Sequence, residues 1–237
     1  MNLSNPQRMS RRIKPVQFLL GMVSRFTLSA LYLRRVHGLE KLDPARRCIY
    51  VSNHVSLLDT FLLGSLFWRR NCYPIVVLGD KAVWSTSRLK RALSAALGFL
   101  LDRGKLNPAR IEELKTFGRA ASHFQLVVFP EGTRGNGVDV AVCQPGIYHI
   151  AREAAVPIVP LFIANMQLVS TKAGQFHFLA GVRKVEIHCG DAIEPETYLP
   201  LSREELTSAI RNWISGLRPI QKSAEPALVP AAQIDAG

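Results

Sequence analysis

Apolar residues recur along this chain with two different periods, and the change of period separates predicted strands from predicted helices. Short apolar runs predict buried strands, and apolar residues that step by three and four predict helices. Strands and helices alternate, so the sequence predicts an α/β fold with a mixed, mostly parallel sheet flanked by helices. The predicted strands cover 48–51, 73–78, 99–101, 125–129, 156–163 and 183–189.

The helices predicted between these strands show one apolar face each. Before the last of them, Ser202 and Glu205 have the spacing of a capping box. The strand 156–163 contains Pro157 and Pro160. Because proline cannot donate to a sheet ladder, this segment is expected to be an edge strand or to carry a bulge. The predicted helices cover 57–67, 82–97, 107–124, 142–155 and 202–217.

Residues 16–33 form the longest largely apolar stretch, in which Leu19, Val23 and Phe26 share a helical face. Arg25 and the marginal length of the stretch disfavour a membrane span. We expect a helix that lies in or dips into a membrane interface. A secretory signal is the weaker alternative, since no small-residue cleavage site precedes Arg34. An ordinary amphipathic helix packed on the core is another.

Three regions follow from these patterns. Residues 1–34 are a basic, membrane-associated helical segment, residues 35–220 form the α/β domain, and residues 221–237 are a flexible tail rich in Ala and Pro.

Charge is concentrated towards the N-terminus. The net charge is +12, and between Met1 and Arg47 ten Lys and Arg residues face two acidic residues. A basic excess at one end indicates an anionic partner surface. The chain shows no nucleic-acid-binding motif, so we expect anionic lipid and no nucleic acid.

The four cysteines are scattered, and none is part of a CxxC pair. This pattern predicts buried thiols in a reducing compartment, without a disulfide framework or a metal site. The histidines other than His54 show no ligand spacing. We therefore expect no metal and no cofactor.

His54 lies at a turn between the strand 48–51 and the helix that begins near Leu57, and Asp59 falls in the first turn of that helix. A carboxylate bound to one imidazole nitrogen fixes the tautomer and leaves the other nitrogen as a base. The nucleophile would then come from the substrate, for example a hydroxyl group. The alternative is a purely structural turn, in which polar side chains cap the helix and Asp59 favours its N-terminus.

The strand 125–129 runs into a Pro/Gly turn that carries Glu131, Gly132, Thr133 and Arg134. Exposed amides near Gly132, together with the Thr133 hydroxyl and the Arg134 guanidinium, are groups that hold a phosphate. An ordinary charged surface turn is the alternative.

Four short motifs, taken in order, resemble those of the glycerolipid acyltransferase family. Each motif alone is modest, but four in order at suitable spacing are specific, and the resemblance covers residues 35 to 195. NHxxxxD is matched by Asn53, His54 and Asp59, a motif F-(I/L)-D-R is matched loosely within 99–103, FPEGTR is matched by 129–134, and VPIVP is matched by 156–160.

The resemblance implies transfer of a fatty acyl group from acyl-CoA or acyl-carrier protein to the sn-2 hydroxyl of 1-acyl-glycerol-3-phosphate, giving phosphatidic acid. His54 would be the general base and Asp59 its partner. No Gly-x-Ser-x-Gly elbow and no motif cysteine is present, which fits direct attack without an acyl-enzyme. The resemblance also implies a site at the cytoplasmic face of the inner membrane. Substrate-binding residues would be Arg103, Glu131, Gly132, Thr133 and Arg134, and more weakly Pro157, Ile158 and Pro160 would line the acyl-donor side.

Two departures from the family pattern concern the acceptor. Gly135 replaces a common Ser, and Gln144 stands where a phosphate-binding Lys is expected. A lysolipid with less phosphate charge, such as a lyso-ornithine lipid, or another lysophospholipid is therefore an alternative acceptor. For Glu131, bracing of the turn is favoured over phosphate contact, because like charges repel. A non-catalytic lipid-binding scaffold, a lysophospholipase and a basic nucleic-acid binder, which would explain the charge but not the motifs, are the rival classes.

Overall fold

Seven strands form one sheet in the computed structural model, which describes residues 6–101, 107–120, 124–171 and 175–219. The strands are β1 Leu33–His37, β2 Ile49–Ser52, β3 Ile75–Asp80, β4 Gly98–Leu101, β5 Gln125–Val128, β6 Ile158–Ala164 and β7 Val185–Cys189.

The order of strands across the sheet is β1-β7-β6-β2-β5-β3-β4. From β6 to β4 every neighbouring pair is parallel, whereas β7 runs antiparallel to β6 and parallel to β1. The predicted mixed, mostly parallel sheet is confirmed. As a consequence, the carboxyl ends of β6, β2, β5, β3 and β4 all lie at one edge, together with the amino ends of β7 and β1.

Helices cover both faces of this sheet, as a parallel sheet requires. The helices are α1 Pro6–Ser24, α2 Ala30–Tyr32, α3 Leu58–Arg70, α4 Lys81–Trp84, α5 Arg88–Leu97, α6 Pro108–Ala120, α7 Gly146–Ala154, α8 Pro195–Tyr198 and α9 Arg203–Ser215. One core lies below α6, α7 and α9 and includes Phe117, Ile147 and Ile210. The other lies below α3 and the end of the N-terminal helix and includes Tyr32 and Phe67.

Strand β6, which begins just after Pro157 and contains Pro160, is an interior strand without a bulge, so the prediction of an edge strand or a bulge is wrong. The Pro160 carbonyl accepts a hydrogen bond from Gly190 N at 2.8 Å, on the side of β7. The absent N–H of Pro160 points to that same side. There the β7 ladder begins only at Leu161, so Pro160 costs the sheet no ladder bond.

Strand β1 was not predicted from the sequence, which assigned Leu33 to a helix. The helical segment ends at Tyr32, and the chain enters the sheet at Leu33. Arg34 and Arg35 are exposed and only Leu33 is fully buried, so this edge strand lacks the apolar pattern that signals a strand. Two predicted helices also differ from the structure: the segment 82–97 is divided between α4 and α5, and α7 begins at Gly146 instead of residue 142.

The N-terminal helix has its polar side inward. The Gln17 side chain binds the backbone of Ile75, Ser24 donates to the Phe61 carbonyl and Ser29 to Ser65. The predicted apolar face points away from the protein, which argues against the core-helix alternative. The exposed apolar side chains are those of Val16, Phe18, Leu19, Val23 and Phe26.

Within the described parts of the chain, no helix combines the length and the apolar character that a membrane crossing needs. The predicted tail 221–237 lies outside the described residues.

Candidate active site

The two predicted motifs meet at the edge formed by the carboxyl ends of the parallel strands. β2 ends at Ser52, just before His54, and its neighbour β5 ends at Val128, just before Glu131. In parallel sheets this edge is where ligands bind, because the loops that leave the strands converge there.

His54 and Asp59 form the predicted pair. The imidazole Nδ1 lies 2.9 Å from Asp59 Oδ2. The Asp59 carboxylate is fully buried, and the His54 side chain keeps 15% exposure. An Nδ1–H that donates to the carboxylate leaves Nε2 with its lone pair, so Nε2 is the basic atom available to a substrate.

Asp59 also shapes the turn that carries His54. Its Oδ2 accepts hydrogen bonds from the amides of Val55 at 2.7 Å and Ser56 at 2.9 Å, while α3 has no side-chain cap at Leu57. The carboxylate therefore satisfies amides at the start of α3 together with one predicted cap, Ser56, whose Oγ accepts a hydrogen bond from Leu58 N at 3.2 Å. The other oxygen, Oδ1, is buried and without a partner among the described residues. These amides are committed to Asp59, so they are not available to an oxyanion.

Glu131 joins the second motif to the first. Its Oε1 accepts from His54 N at 2.8 Å and its Oε2 from Ala141 N at 3.0 Å. Burial, with 2% of the residue exposed, raises the pKa of Glu131, although both amide donors oppose this shift. Both carboxylate oxygens thus accept hydrogen bonds from backbone amides. This supports the bracing role of Glu131 and gives no support to contact with a substrate.

Two further residues position His54, and sequence reasoning did not assign them this role. The Phe129 ring stacks on the imidazole with centroids 4.2 Å apart. The Asn53 side chain accepts from Ile163 N at 2.7 Å and donates to Ile163 O at 3.0 Å, which ties the end of β2 to β6. The sequence singles out Asn53 through its place in the NHxxxxD motif. Its partner Ile163 could not be predicted, because that contact depends on the order of the strands in the sheet.

The turn after β5 leaves side-chain donors available, although Gly132 N donates to Phe129 O at 3.1 Å and Gly135 N to His54 O at 2.6 Å. Gly132 adopts φ +66°, a conformation that favours glycine. Thr133 is exposed and Arg134 half-buried. In the regions that the structure describes, neither side chain has a hydrogen-bond or ion-pair partner. A hydroxyl and a guanidinium beside a glycine turn are groups of the kind that bind anions.

Both departures from the family pattern lie at this turn. Gln144 is exposed, and its Cγ comes within 2.8 Å of the position that a Cβ on Gly132 would take. A Cβ on Gly135 would lie 2.8 Å from Glu131 Oε2, so the glycine leaves room for the buried carboxylate. Gln144 thus stands beside the free donors as a neutral group.

The structure does not bring the weaker predictions to this site. Pro157 and Ile158 lie at the amino end of β6, the opposite edge from His54, and both are buried. Pro160 is buried in the middle of the strand pairing with Val51. Their assignment to the acyl-donor side therefore gains no support. Arg103 lies outside the described residues.

One other cluster could hold a metal ion in the described ranges, which omit 102–106, 121–123 and 172–174. His37, Glu186 and His188 place their ligand atoms within 4.8 Å of one another. The two imidazoles are stacked at 4.3 Å with an interplanar angle of 9°, so their lone pairs do not converge. Arg34 pairs with Glu186 at 3.3 Å. We interpret the cluster as a structural one at the edge opposite His54.

All four cysteines are free and buried, as predicted. Burial raises the pKa of Cys48 to about 11 and that of Cys143 to about 12. Buried thiols with such pKa values are poor nucleophiles, so the cysteines are not candidates for a nucleophile at this site.

The geometry defines an α/β protein in which a buried carboxylate holds an imidazole next to a turn that carries a hydroxyl and a guanidinium. The family model described as Acyltransferase matches residues 33–164, from the first residue of β1 to the last of β6. The chain belongs to the acyltransferase family.

Proteins similar to this chain carry the name 1-acyl-sn-glycerol-3-phosphate acyltransferase. A 1-acyl-sn-glycerol-3-phosphate acyltransferase of Saccharomyces cerevisiae is 31% identical over 54% of this chain and 43% of its own length. The protein of the same name from Borreliella burgdorferi is 25% identical over 76% of this chain and 69% of its own. The chain thus spans less than half the length of the yeast relative.

A solved structure shows the same fold. It is that of the 1-acyl-sn-glycerophosphate (LPA) acyltransferase PlsC from Thermotoga maritima. The similarity has a TM-score of 0.63, covers 87% of this chain and 79% of that one, and comes with 20% identity.

Proposed function

We propose that the protein transfers a fatty acyl group from an acyl thioester to the sn-2 hydroxyl of 1-acyl-glycerol-3-phosphate, forming phosphatidic acid. The observation that carries the proposal is the His54 Nδ1–Asp59 contact of 2.9 Å beside the unpaired donors of Thr133 and Arg134. A base and an anion site side by side suit an acceptor that carries both a hydroxyl and a phosphate. The names of the relatives support the same acceptor.

In the proposed reaction, His54 Nε2 removes the proton of the acceptor hydroxyl as its oxygen attacks the thioester carbonyl carbon. Asp59 stabilises the imidazolium that forms. The tetrahedral intermediate collapses with cleavage of the C–S bond, and the imidazolium returns the proton to the leaving thiolate. No acyl-enzyme is needed, which agrees with the buried state of every cysteine.

The turn after β5 would bind the phosphate through the side chains of Thr133 and Arg134. The Gly132 amide donates to Phe129 O at 3.1 Å, so the proposed contribution of Gly132 is to shape this turn. Glu131 would act as a positioning residue, since it holds His54 N and Ala141 N. Arg103 is proposed as a further phosphate ligand on the strength of the motif alone. The acyl donor would be acyl-CoA or acyl-carrier protein, and no cofactor is required by this chemistry.

A second acceptor is favoured by Gln144. This neutral, exposed side chain lies against the Gly132 turn, where a cation would strengthen phosphate binding. A lysolipid with less phosphate charge, such as a lyso-ornithine lipid, is therefore the second candidate acceptor for the same chemistry.

The proposed location is the membrane surface, at the cytoplasmic face of the inner membrane. The exposed apolar face of the N-terminal helix, next to a basic segment, supports this location. Its outward side chains would lie in the interface.

An acyl-transfer assay tests the function. Purified protein is given a long-chain acyl-CoA or acyl-carrier protein with lysophosphatidate, glycerol 3-phosphate, other lysophospholipids or lyso-ornithine lipid, and His54→Ala serves as the control. Diacyl product from lysophosphatidate that the variant does not form supports the proposal. Product formed only from another acceptor would assign that acceptor as the substrate. Free fatty acid alone would indicate a lysophospholipase. Absence of any product favours a non-catalytic scaffold.

A further inference from the structure

The loop between β6 and β7 exposes a cluster of large apolar side chains. Every residue from 175 to 180 is exposed. Phe176 is 51% exposed, Phe178 57% and Leu179 79%. Single exposed apolar residues are ordinary, but three large ones within four positions mark an interaction surface. We call residues 175–180 the aromatic loop.

The aromatic loop belongs to the edge of the sheet that carries His54. It connects the carboxyl end of β6 with the amino end of β7, and both lie at that edge. The start of the same connection borders the site, because Gly137 lies between the side chains of Gln167 and Val55. A surface that contacts this loop therefore lies at the edge of the sheet that carries His54.

The aromatic loop is also joined to the N-terminal helix. The rings of Phe176 and Phe178 meet Tyr32 edge-on, with centroid distances of 6.1 and 6.4 Å. Arg183 N donates to the Leu31 carbonyl at 3.0 Å. Tyr32 ends the helical segment whose exposed face is apolar, so the two exposed apolar surfaces are attached to one anchor.

Charge distinguishes between possible partners. Arg34, Arg35, Arg183 and Lys184 are exposed and flank the loop where β1 and β7 begin. A second copy of the chain would bring the same cations to a symmetric interface, where they repel. Aromatic side chains next to Lys and Arg are typical of protein surfaces at an anionic bilayer interface.

We propose that the aromatic loop inserts into the interface of an anionic phospholipid bilayer and turns the His54 edge of the sheet towards the membrane. The loop is a docking element in addition to the N-terminal helix. The inference rests on the proposed function only in assuming lipid substrates, and vesicle binding tests it without any turnover.

A fluorescent label provides the direct test. Because the native cysteines are buried, Leu179→Cys in the full chain can be labelled selectively with an environment-sensitive nitrobenzoxadiazole dye. Ser208→Cys is the matched control. Ser208 is exposed on α9, which lies on the face of the sheet opposite the N-terminal helix. Vesicles of phosphatidylcholine with phosphatidylglycerol should shift the emission of the label at position 179 to the blue. Spin-labelled acyl chains should quench it, and the label at 208 should stay unchanged. Equal responses at both positions, or none at 179, overturn the proposal.

A second experiment measures affinity. The double variant Phe176→Ser/Phe178→Ser should lower the vesicle partition coefficient by about tenfold or more, while Phe176→Leu/Phe178→Leu should retain binding. Thermal unfolding shows that each variant is folded. A change from dimer to monomer in light scattering, with vesicle binding unaltered, would assign the loop to self-association instead.

Failure of the proposed function can be distinguished from failure of the docking proposal. Turnover of a short-chain, water-soluble acceptor and donor should be the same in the wild type and the Ser/Ser variant. If the wild type lacks acyl transfer but binds vesicles through the aromatic loop, only the function is rejected. If transfer occurs and the loop is not needed for vesicle binding, only the docking proposal is rejected.

Discussion

Two neighbouring turns at the same edge of the sheet use their polar groups in opposite ways. In the turn after β2, the Val55 and Ser56 amides and the imidazole Nδ1 are all bound by Asp59. In the turn after β5, the side chains of Thr133 and Arg134 have no partner within the described residues. A base requires fixed geometry, because proton transfer depends on distance and orientation. A binding turn benefits from donors that are still unpaired.

The largest expected effect comes from the fixed turn. Asp59→Asn removes the charge that stabilises an imidazolium and allows the wrong His54 tautomer. We expect kcat for acyl transfer to fall by about 10²–10⁴-fold. Asp191→Asn is the control, since this exposed carboxylate pairs with Lys41 at the surface. An Asp59→Asn enzyme with wild-type kcat would show that His54 works without its carboxylate.

Substitutions in the turn after β5 should change KM. Arg134→Gln removes a charged donor while keeping a polar side chain, and we expect the KM for lysophosphatidate to rise about 10–100-fold with kcat nearly unchanged. The control Arg203→Gln makes the same change of charge on α9. A large fall in kcat at constant KM would contradict the division of labour between the two turns.

The carboxylate that links the turns should have a smaller effect on rate. Glu131→Gln leaves one of the two backbone amides, of His54 or Ala141, without a good acceptor. Urea denaturation should show a loss of about 1–3 kcal/mol in the free energy of unfolding. We expect kcat to fall about tenfold as His54 shifts. Glu204→Gln, at an exposed site on α9, should change neither quantity. Unchanged stability of Glu131→Gln would show that the brace is dispensable.

The smallest expected effect concerns the choice of acceptor. Gln144→Lys adds a cation next to the Gly132 turn, and we expect it to lower the KM for lysophosphatidate by about 2–5-fold. Gln144→Glu should change the KM in the opposite direction. Competition between lysophosphatidate and lyso-ornithine lipid in one assay measures the shift in preference. Equal KM values for both variants would remove Gln144 from acceptor recognition.

The parts of the site that sequence could predict are local ones. His54 and Asp59 are five positions apart at a strand-to-helix turn, so their contact follows from local geometry. The bond between Glu131 and His54 N joins residues 77 positions apart. That bond depends on β2 and β5 being neighbours, which no local pattern encodes.

The fold shows the same limit. The alternation of strands and helices predicted the class of sheet, because it reflects local periodicity. The two departures, β1 and β6, are decided by tertiary context. β1 is held as an edge strand by its pairing with β7. β6 can be an interior strand because the N–H that Pro160 lacks would not take part in a ladder hydrogen bond.

The hydrogen bonds between Asn53 and Ile163 have a consequence for folding during synthesis. They link positions 110 residues apart, so the end of β2 is tied to β6 only after β6 has joined the sheet. Contacts of such high sequence separation form late, since the loop between them must first be ordered. A nascent chain that has emerged only as far as Arg134 carries both motifs but lacks the strand that holds Asn53. We therefore expect acyl transfer only from a chain whose sheet is complete.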